Sequence, residues 1–239
     1  MLTWYWYVSL AIATVFVFLQ LIYAVSFLVE AYFFTRPRNI VRIAPDRPPV
    51  NFPYIVLFYP VLRELEATMH TTFLALADLD YPKDRYEVVA IPNDYDTETV
   101  ASLKRLQEQF PFVKLLEIPP TSHPSWDVVW RAWDNCSKAY WWHGGKRAGI
   151  RDLPPKKTRQ LIYAFYHRAL AAADGEDFLV NYIDADSAPP KDHFLAAAYG
   201  MEQYDVLQAT NIAGNLLKSI PASFHAFDHM AWDGLKYPH

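Results

Sequence analysis

Cysteine, glycine and phosphate-loop motifs are scarce or missing in this sequence. Its 239 residues include one cysteine, Cys136, and 7 glycines beside 18 prolines. A single cysteine excludes an internal disulfide and permits a reducing compartment. Neither G-x-G-x-x-G nor the Walker phosphate loop occurs, so the usual dinucleotide and P-loop classes lack their signature. The net charge of -4 gives no support for a nucleic-acid partner.

Charge is also missing from the N-terminal segment, since no charged residue lies between Leu2 and Val29. As a helix this run would be about 40 Å long, which exceeds the ~30 Å hydrocarbon core of a bilayer. A cleaved signal peptide would have a basic start and a shorter apolar core. We therefore predict a transmembrane anchor over residues 1–35. Because Arg36, Arg38 and Arg42 follow it, the positive-inside rule predicts a plasma or inner membrane protein whose soluble part is cytosolic.

Beyond a basic, proline-rich linker at residues 36–52, apolar β-favouring runs alternate with amphipathic helical patterns. The predicted strands are 54–62, 86–92, 113–119, the run that ends at 186, and 205–213; the predicted helices are 63–79, 98–110, 156–173 and 191–203. This alternation predicts an α/β domain over residues 53–239, with a mostly parallel sheet and flanking helices. Ligands bind such sheets beyond the carboxyl ends of the strands.

The stretch "FLVNYIDADSAPP" ends a predicted strand with two carboxylates. The period of two points Asp184 and Asp186 to the same side, with the small Ala185 between them. Two negative charges this close favour a divalent cation as their partner. A plain turn stays open as the alternative, because Asp, Ser and Pro all favour turns. Taken alone, this stretch predicts either a divalent-cation site at Asp184 and Asp186 or a polar turn.

Four segments occur in a characteristic order behind the apolar run: "FYPVLRELEATMHTTFLALADLDYP", "YEVVAIPNDYDTET", "NYIDADSAPP" and "YDVLQATN". The series, over residues 54–213, resembles the family 2 glycosyltransferases, the membrane-bound inverting enzymes related to cellulose, hyaluronan and chitin synthases. The resemblance implies a GT-A fold, the D-x-D motif, and a Mg²⁺ or Mn²⁺ ion held at Asp184 and Asp186. It also implies a nucleotide-diphosphate sugar donor, expected to be UDP-linked, a glycan or lipid acceptor, and a role in polysaccharide synthesis.

The resemblance also implies roles at the first two strand ends. Glu64, at the first strand-to-helix junction, and Asp94, after the second strand, would lie near the uridine. A carboxylate there accepts a hydrogen bond from the base. Asp96 competes with Asp94 for this role, because Pro92 and Asn93 stand where the family usually has paired aspartates.

At the third site, Asp184 would lie by the ribose and donor sugar and Asp186 would bind the metal. Lys157 and Arg159 resemble the basic residues that the family carries before its D-x-D strand, where they would face the diphosphate. A solvated basic start to a helix is the alternative for these two residues.

The family's general base and its Q-x-x-R-W motif are not found before His239. Asp228 and Asp233 lie in the right direction but lack the motif around them, so the catalytic base is unassigned and the domain is expected to be incomplete at its C-terminus. The alternative function is a catalytically silent, membrane-tethered nucleotide-binding module or scaffold. A haloacid dehalogenase-type phosphotransferase would carry its aspartates after the first strand, where "YPVLRE" stands instead.

Two further patterns have alternative explanations. Trp126, Trp130 and Trp133 fit one face of a helix, which indicates either a core or membrane-facing stripe or a stacking surface for sugar rings. His225 and His229 have the i, i+4 spacing of metal ligands, but ordinary packing explains them as well.

Overall fold

The computed structural model describes residues 2–34, 49, 51–135, 151–171, 177–207, 209 and 218–223. They belong to two compact units, one of residues 42–204 and the other of residues 1–41 and 205–239. The first unit contains a sheet with helices on both faces, and the second contains a long N-terminal helix.

Helix α1, Leu2–Phe34, is apolar on every side. Its stretch from Trp4 to Val29 contains an 18-residue window with a mean hydropathy of 2.4, and the side chains of this stretch are exposed. The 26 residues of the stretch span about 39 Å as a helix, enough to cross a bilayer. The predicted apolar N-terminal helix is confirmed, while its insertion and its sidedness stay predictions.

The unit of residues 42–204 alternates strand and helix as the sequence predicts. In chain order its elements are β1 Tyr54–Val61, α2 Glu66–Ala77, β2 Tyr86–Pro92, α3 Thr97–Gln109, β3 Val113–Leu115, a 3₁₀ turn Pro124–Trp126, α4 Asp127–Asp134, α5 Lys157–Ala171, β4 Phe178–Tyr182 and α6 His193–Met201. The predicted strand at 205–213 lies largely outside the described residues, and residues 205–207 are not in a strand.

The sheet has four parallel strands in the order β3-β2-β1-β4. Ile55 pairs with Tyr86 of β2 on one side and with Leu179 of β4 on the other. The chain therefore moves outward from β1 to β3 and then crosses to the opposite side of β1. This reversal lies between β1 and β4. The predicted fold class, a mostly parallel α/β sheet with flanking helices behind an apolar helix, is confirmed.

Strand β1 is buried on both faces, which explains its continuous apolar run. Alternate residues, such as Leu57 and Tyr59, belong to a core with α2, α3 and α6. The residues between them, Val56 and Phe58, pack with α4 and α5 in a second core. Each side chain of β1 thus joins one of two helical layers, because successive residues of a strand point to opposite faces.

The tryptophan stripe contributes to the second core. Trp126 is fully buried, stacks on Trp130 with ring centroids 5.4 Å apart, and donates from Nε1 to the carbonyl of Pro119 at 3.0 Å. The ring of Trp133 meets that of Trp130 edge-on at 5.5 Å. Of the two explanations for this stripe, the core explanation describes Trp126 and Trp130.

Glu87 of β2 is a buried carboxylate that connects three elements. Arg168 of α5 donates to its Oε1 from Nε at 2.7 Å, and Lys114 of β3 contacts its Oε2. Burial alone would raise the pKa of Glu87, but the hydrogen bonds from Lys114 and Arg168 together bring that pKa below its usual value. The carboxylate therefore joins the edge of the sheet to α5.

Candidate functional site

The carboxyl ends of β1, β2 and β4 meet at one edge of the sheet, beside the reversal between β1 and β4. In open α/β sheets this is the position where ligands bind. Residues 62–65, 93–96 and 184–187 follow the three strands there. The predicted site residues Glu64, Asp94 and Asp96, together with Asp184 and Asp186, all lie in these segments.

The turn after β4 is held by two buried hydroxyl groups. Tyr59 of β1 donates to the carbonyl oxygen of Ala185 at 2.5 Å, and Thr72 of α2 donates to the same oxygen at 3.0 Å. Ser187 closes the turn, because its backbone N–H donates to the carbonyl of Asp184 at 3.0 Å. This connection fixes the turn against both β1 and α2.

The two aspartates of this turn point to solvent while their neighbours point inward. Ile183 and Ala185 are buried in the first core, whereas Asp184 and Asp186 are exposed. The alternation agrees with the orientation that the strand period predicts for both carboxylates. The sequence patterns assigned no role to Tyr59 or Thr72, because their bonds to Ala185 join residues that are distant along the chain.

The carboxylate of Glu64 interacts electrostatically with the same Tyr59 hydroxyl. Burial raises the pKa of the Tyr59 hydroxyl well above its usual value, and the nearby carboxylates of Glu64 and Asp186 raise it further, against the lowering effect of the Thr72 hydrogen bond. The pKa of the Tyr59 hydroxyl is thus affected both by Glu64, which follows β1, and by Asp186, which follows β4. Glu64, Asp186 and the Tyr59 hydroxyl therefore form one neighbourhood.

Lys157, the first residue of α5, forms an ion pair with Asp184. Its ammonium contacts Oδ1 of Asp184 and lies 5.1 Å from the centre of the Tyr182 ring, over its face. Burial lowers the pKa of Lys157, and the charge of Asp186 acts in the opposite direction. Lys157 is therefore the positive group of the turn that carries both aspartates.

The turn fits a divalent cation whose coordination a substrate completes. Within the described part of the chain, no three His, Cys, Asp or Glu side chains group together as a full metal site. Mg²⁺, however, is usually held by one or two carboxylates together with substrate phosphates and water. Two exposed carboxylates one residue apart, Asp184 and Asp186, meet that requirement.

At the end of β2 the structure separates the two competing aspartates. Oδ2 of Asp96 accepts from the backbone N–H of Arg63 at 2.9 Å and from the hydroxyl of Thr99 at 2.8 Å. Asp96 thus joins the end of β1 to the start of α3. Arg63 needs this support, because its φ of 54° is left-handed and costs about 1–2 kcal/mol outside glycine. The left-handed backbone of Arg63 also explains why α2 begins at Glu66 and not at Arg63.

Asp94 is half-buried and is the better placed of the two for a ligand. Its backbone N–H donates to the carbonyl of Ile118 at 3.1 Å, which fixes its main chain beside the segment that follows β3. Its carboxylate acts on the buried Arg159 of α5, since burial lowers the pKa of Arg159 while Tyr95, Asp94 and Asp152 oppose that shift.

A buried polar layer lies beneath these strand ends. Nη2 of Arg159 donates to Oδ1 of Asn93, and Nε2 of Gln160 donates to the carbonyl of Val61, the last residue of β1, at 2.7 Å. Three buried side-chain atoms of this layer have no hydrogen-bond partner among the described residues: Nδ2 of Asn93, Nε of Arg159 and Oε1 of Gln160. Arg159 also lines a cleft of about 540 Å³ with Trp130, Arg151 and Asp152 among its walls.

The structure thus brings five of the predicted residues to one edge of the sheet: Glu64, Asp94, Lys157, Asp184 and Asp186. Asp96 instead accepts hydrogen bonds from the backbone of Arg63 and the hydroxyl of Thr99. The sequence patterns assigned Gln160 no role at this edge, and they indicated Asn93 only as a departure from the family's paired aspartates. The position of Asn93 directly after a buried strand was the available signal. Asp228 and Asp233, and the histidines at 225 and 229, lie outside the described residues.

Two solved structures are similar to this chain. The mannosyltransferase PcManGT from Pyrobaculum calidifontis, in complex with GDP-Man and Mn2+, is 19% identical, with 74% of this chain and 39% of that chain covered and a TM-score of 0.42. TarS 1-349 from S. aureus is 16% identical, with 63% and 32% covered and a TM-score of 0.35. This chain thus spans well under half the length of either structure. No protein-family model matches it, and no curated protein is similar to it in sequence. Likenesses at this level assign neither a family nor a function.

Proposed function

We propose that this chain is a membrane-anchored, inverting family 2 glycosyltransferase. It would take a nucleotide-diphosphate sugar, with a divalent cation, and serve a glycan or lipid acceptor. The observation that carries the proposal is the turn of Asp184 and Asp186. Two buried hydroxyls hold it at the point where the strand order reverses, with Glu64 and Lys157 beside it.

Different residues would contact different parts of the nucleotide. Asp94 and Glu64 would face the base and ribose, as the family resemblance implies. Lys157, at the first turn of α5, would face the diphosphate, where a positive group and a helix N-terminus both favour a phosphate. The aspartates of the turn would hold the cation, which neutralises the diphosphate as it leaves.

The proposed domain layout supports this function. Residues 1–35 would be the anchor, 36–52 the linker and 53–239 the glycosyltransferase domain. Inverting transfer needs a base to deprotonate the acceptor hydroxyl, a step worth roughly 10²–10⁴ in rate. No described residue is assigned to that step, so binding and transfer are tested separately.

The experiment is isothermal titration of UDP and of GDP, with and without Mn²⁺, into the full chain in detergent. We expect metal-dependent binding of one nucleotide, weakened more than tenfold, or about 1.4 kcal/mol, by Asp186→Asn. Asp192→Asn is the matched control: this exposed residue precedes α6, and its side chain does not cap that helix.

Equal losses in both aspartate variants would show that the turn is only structural. Incubation with radiolabelled nucleotide sugars and candidate acceptors then separates the two functions. Metal-dependent product supports the transferase, whereas binding without product supports the silent nucleotide-binding module. Failure of wild-type protein to bind either nucleotide contradicts both.

A further inference from the structure

We infer that Lys157 is a built-in cation at the aspartate turn, and that a divalent metal must displace it from Asp184 to bind. This inference goes beyond metal binding itself, since it predicts competition between a side chain and the metal for one carboxylate. Its second consequence, for the nucleotide, rests on the proposed function.

The geometry supplies the competition. The ammonium of Lys157 contacts Oδ1 of Asp184, which is one of the two carboxylates that the metal would need. The face of the Tyr182 ring, 5.1 Å from the ammonium, stabilises the cation in this position. Lys157 begins α5, so the helix fixes its Cα, and the flexible four-carbon stem of a 40% exposed lysine allows its ammonium to leave Asp184.

The strength of the pair sets the size of the effect. The side chains of Lys157 and Asp184 are 40% and 56% exposed, so solvent weakens their attraction. Pairs of this kind contribute roughly 0.2–1 kcal/mol, which corresponds to a change in metal affinity of up to about fivefold. The lysine therefore weakens metal binding measurably without preventing it.

A diphosphate would reverse the competition. When a phosphate takes the ammonium of Lys157, Asp184 is released for the metal. Nucleotide and metal would then assist each other, and thermodynamic linkage requires the assistance to be mutual. The ion pair would keep the metal site weak until a donor is bound.

The test measures free Mn²⁺ by electron paramagnetic resonance during titration of the full chain in detergent, without any nucleotide. We expect Lys157→Gln to bind Mn²⁺ about two- to fivefold more tightly than wild type. Lys157→Arg should bind Mn²⁺ more weakly than wild type, because a guanidinium pairs with a carboxylate through two hydrogen bonds. Lys156→Gln removes the neighbouring exposed charge and is the matched control.

Mn²⁺ affinities that are equal in wild type and in both Lys157 variants overturn the inference. An equal gain in Lys156→Gln also overturns it, because general charge would then be the cause. The arginine variant retains the charge and decides the matter if the glutamine variant does not fold. A second titration with UDP or GDP tests the nucleotide step. Absence of nucleotide binding there contradicts the proposed function and leaves the Mn²⁺ competition measurable on its own.

Discussion

The carbonyl oxygen of Ala185 accepts hydrogen bonds from two hydroxyls that lie far from it along the chain. Tyr59 is 126 residues away and Thr72 is 113 residues away. Both hydroxyls are buried, so each bond is protected from water. The exposure of Asp184 and Asp186 follows from the strand period, but the rigidity of their turn follows from these two long-range bonds.

We predict that Tyr59→Phe loosens the turn. Loss of the hydroxyl should reduce the free energy of unfolding by about 1 kcal/mol, measured by urea denaturation, and should also weaken metal-dependent nucleotide binding. Tyr86→Phe is the control, since Tyr86 also donates from a buried position, to the carbonyl of Leu76 at 3.2 Å. The control should lose similar stability and keep its nucleotide affinity. Equal loss of affinity in both variants would contradict a specific role for Tyr59.

Sequence patterns predicted only part of the site. The strand period indicated the shared direction of Asp184 and Asp186, because that period is a local property. The choice between Asp94 and Asp96 was not decided locally. Asp96 is engaged by the backbone of Arg63, a contact that exists only once β1 and β2 are paired. The bond between Arg159 and Asn93 likewise depends on packing between elements distant in sequence.

At the scale of elements, helix α5 contacts the carboxyl ends of three strands at the candidate site. Its first turn carries Lys157, Arg159 and Gln160, which contact three different strand ends. Its last turn carries Arg168, which bonds to Glu87 of β2 and lies over the ring of Phe178 at 4.7 Å. The helical pattern predicted this helix, but not the contacts that fix its register against the sheet.

We predict that Glu87→Gln destabilises the fold in a pH-dependent manner. The folded state lowers the pKa of Glu87, so its contribution is complete above the usual value near 4.5 and is lost as pH falls through the folded pKa. At pH 7 the variant should lose about 1–3 kcal/mol in urea unfolding. The difference from wild type should shrink steadily below about pH 4.5.

Glu117→Gln is the control for this experiment. Glu117 pairs with Lys104 at 2.9 Å, but the two side chains are 39% and 59% exposed. An exposed pair contributes only about 0.2–1 kcal/mol, so this substitution should cost less at every pH. A constant difference between wild type and Glu87→Gln from pH 7 to pH 3 would show that the charge of Glu87 is not the cause.

At the scale of the whole molecule, the alternation of patterns predicted a parallel sheet, yet not its strand order. Order depends on which strand β4 joins, and local sequence carries no such signal. Helix α1 was the most predictable element, because an apolar run of 26 residues, with a mean hydropathy of 2.4 in an 18-residue window, has few other stable forms. All its described side chains from Trp4 to Val29 are exposed, so the apolar surface of α1 requires an apolar environment.

We predict that α1 spans a bilayer, and that charge at its centre prevents this. The double variant Phe16→Arg/Leu19→Arg adds two arginines near mid-helix, at a cost of about 5–7 kcal/mol for insertion. It should move the protein from the membrane pellet to the supernatant on alkaline carbonate extraction. The control is Tyr5→Arg/Tyr7→Arg, because arginine near the end of a span reaches the interface at little cost. Wild-type protein in the supernatant would contradict the anchor.

Protease digestion of intact cells tests on which side of the membrane the soluble part lies. Arg36, Arg38 and Arg42 follow the span, whereas no basic side chain precedes it, so the soluble part should face the cytosol. Protease added to intact cells should then leave residues 53–239 uncut until the membrane is permeabilised. Lys substitutions at Leu2 and Thr3 together with Arg36→Gln, Arg38→Gln and Arg42→Gln reverse the charge bias, and some of the protein should become sensitive to outside protease. Digestion of the wild-type soluble part in intact cells would place it outside, away from cytosolic nucleotide sugars, and would contradict the cytosolic orientation.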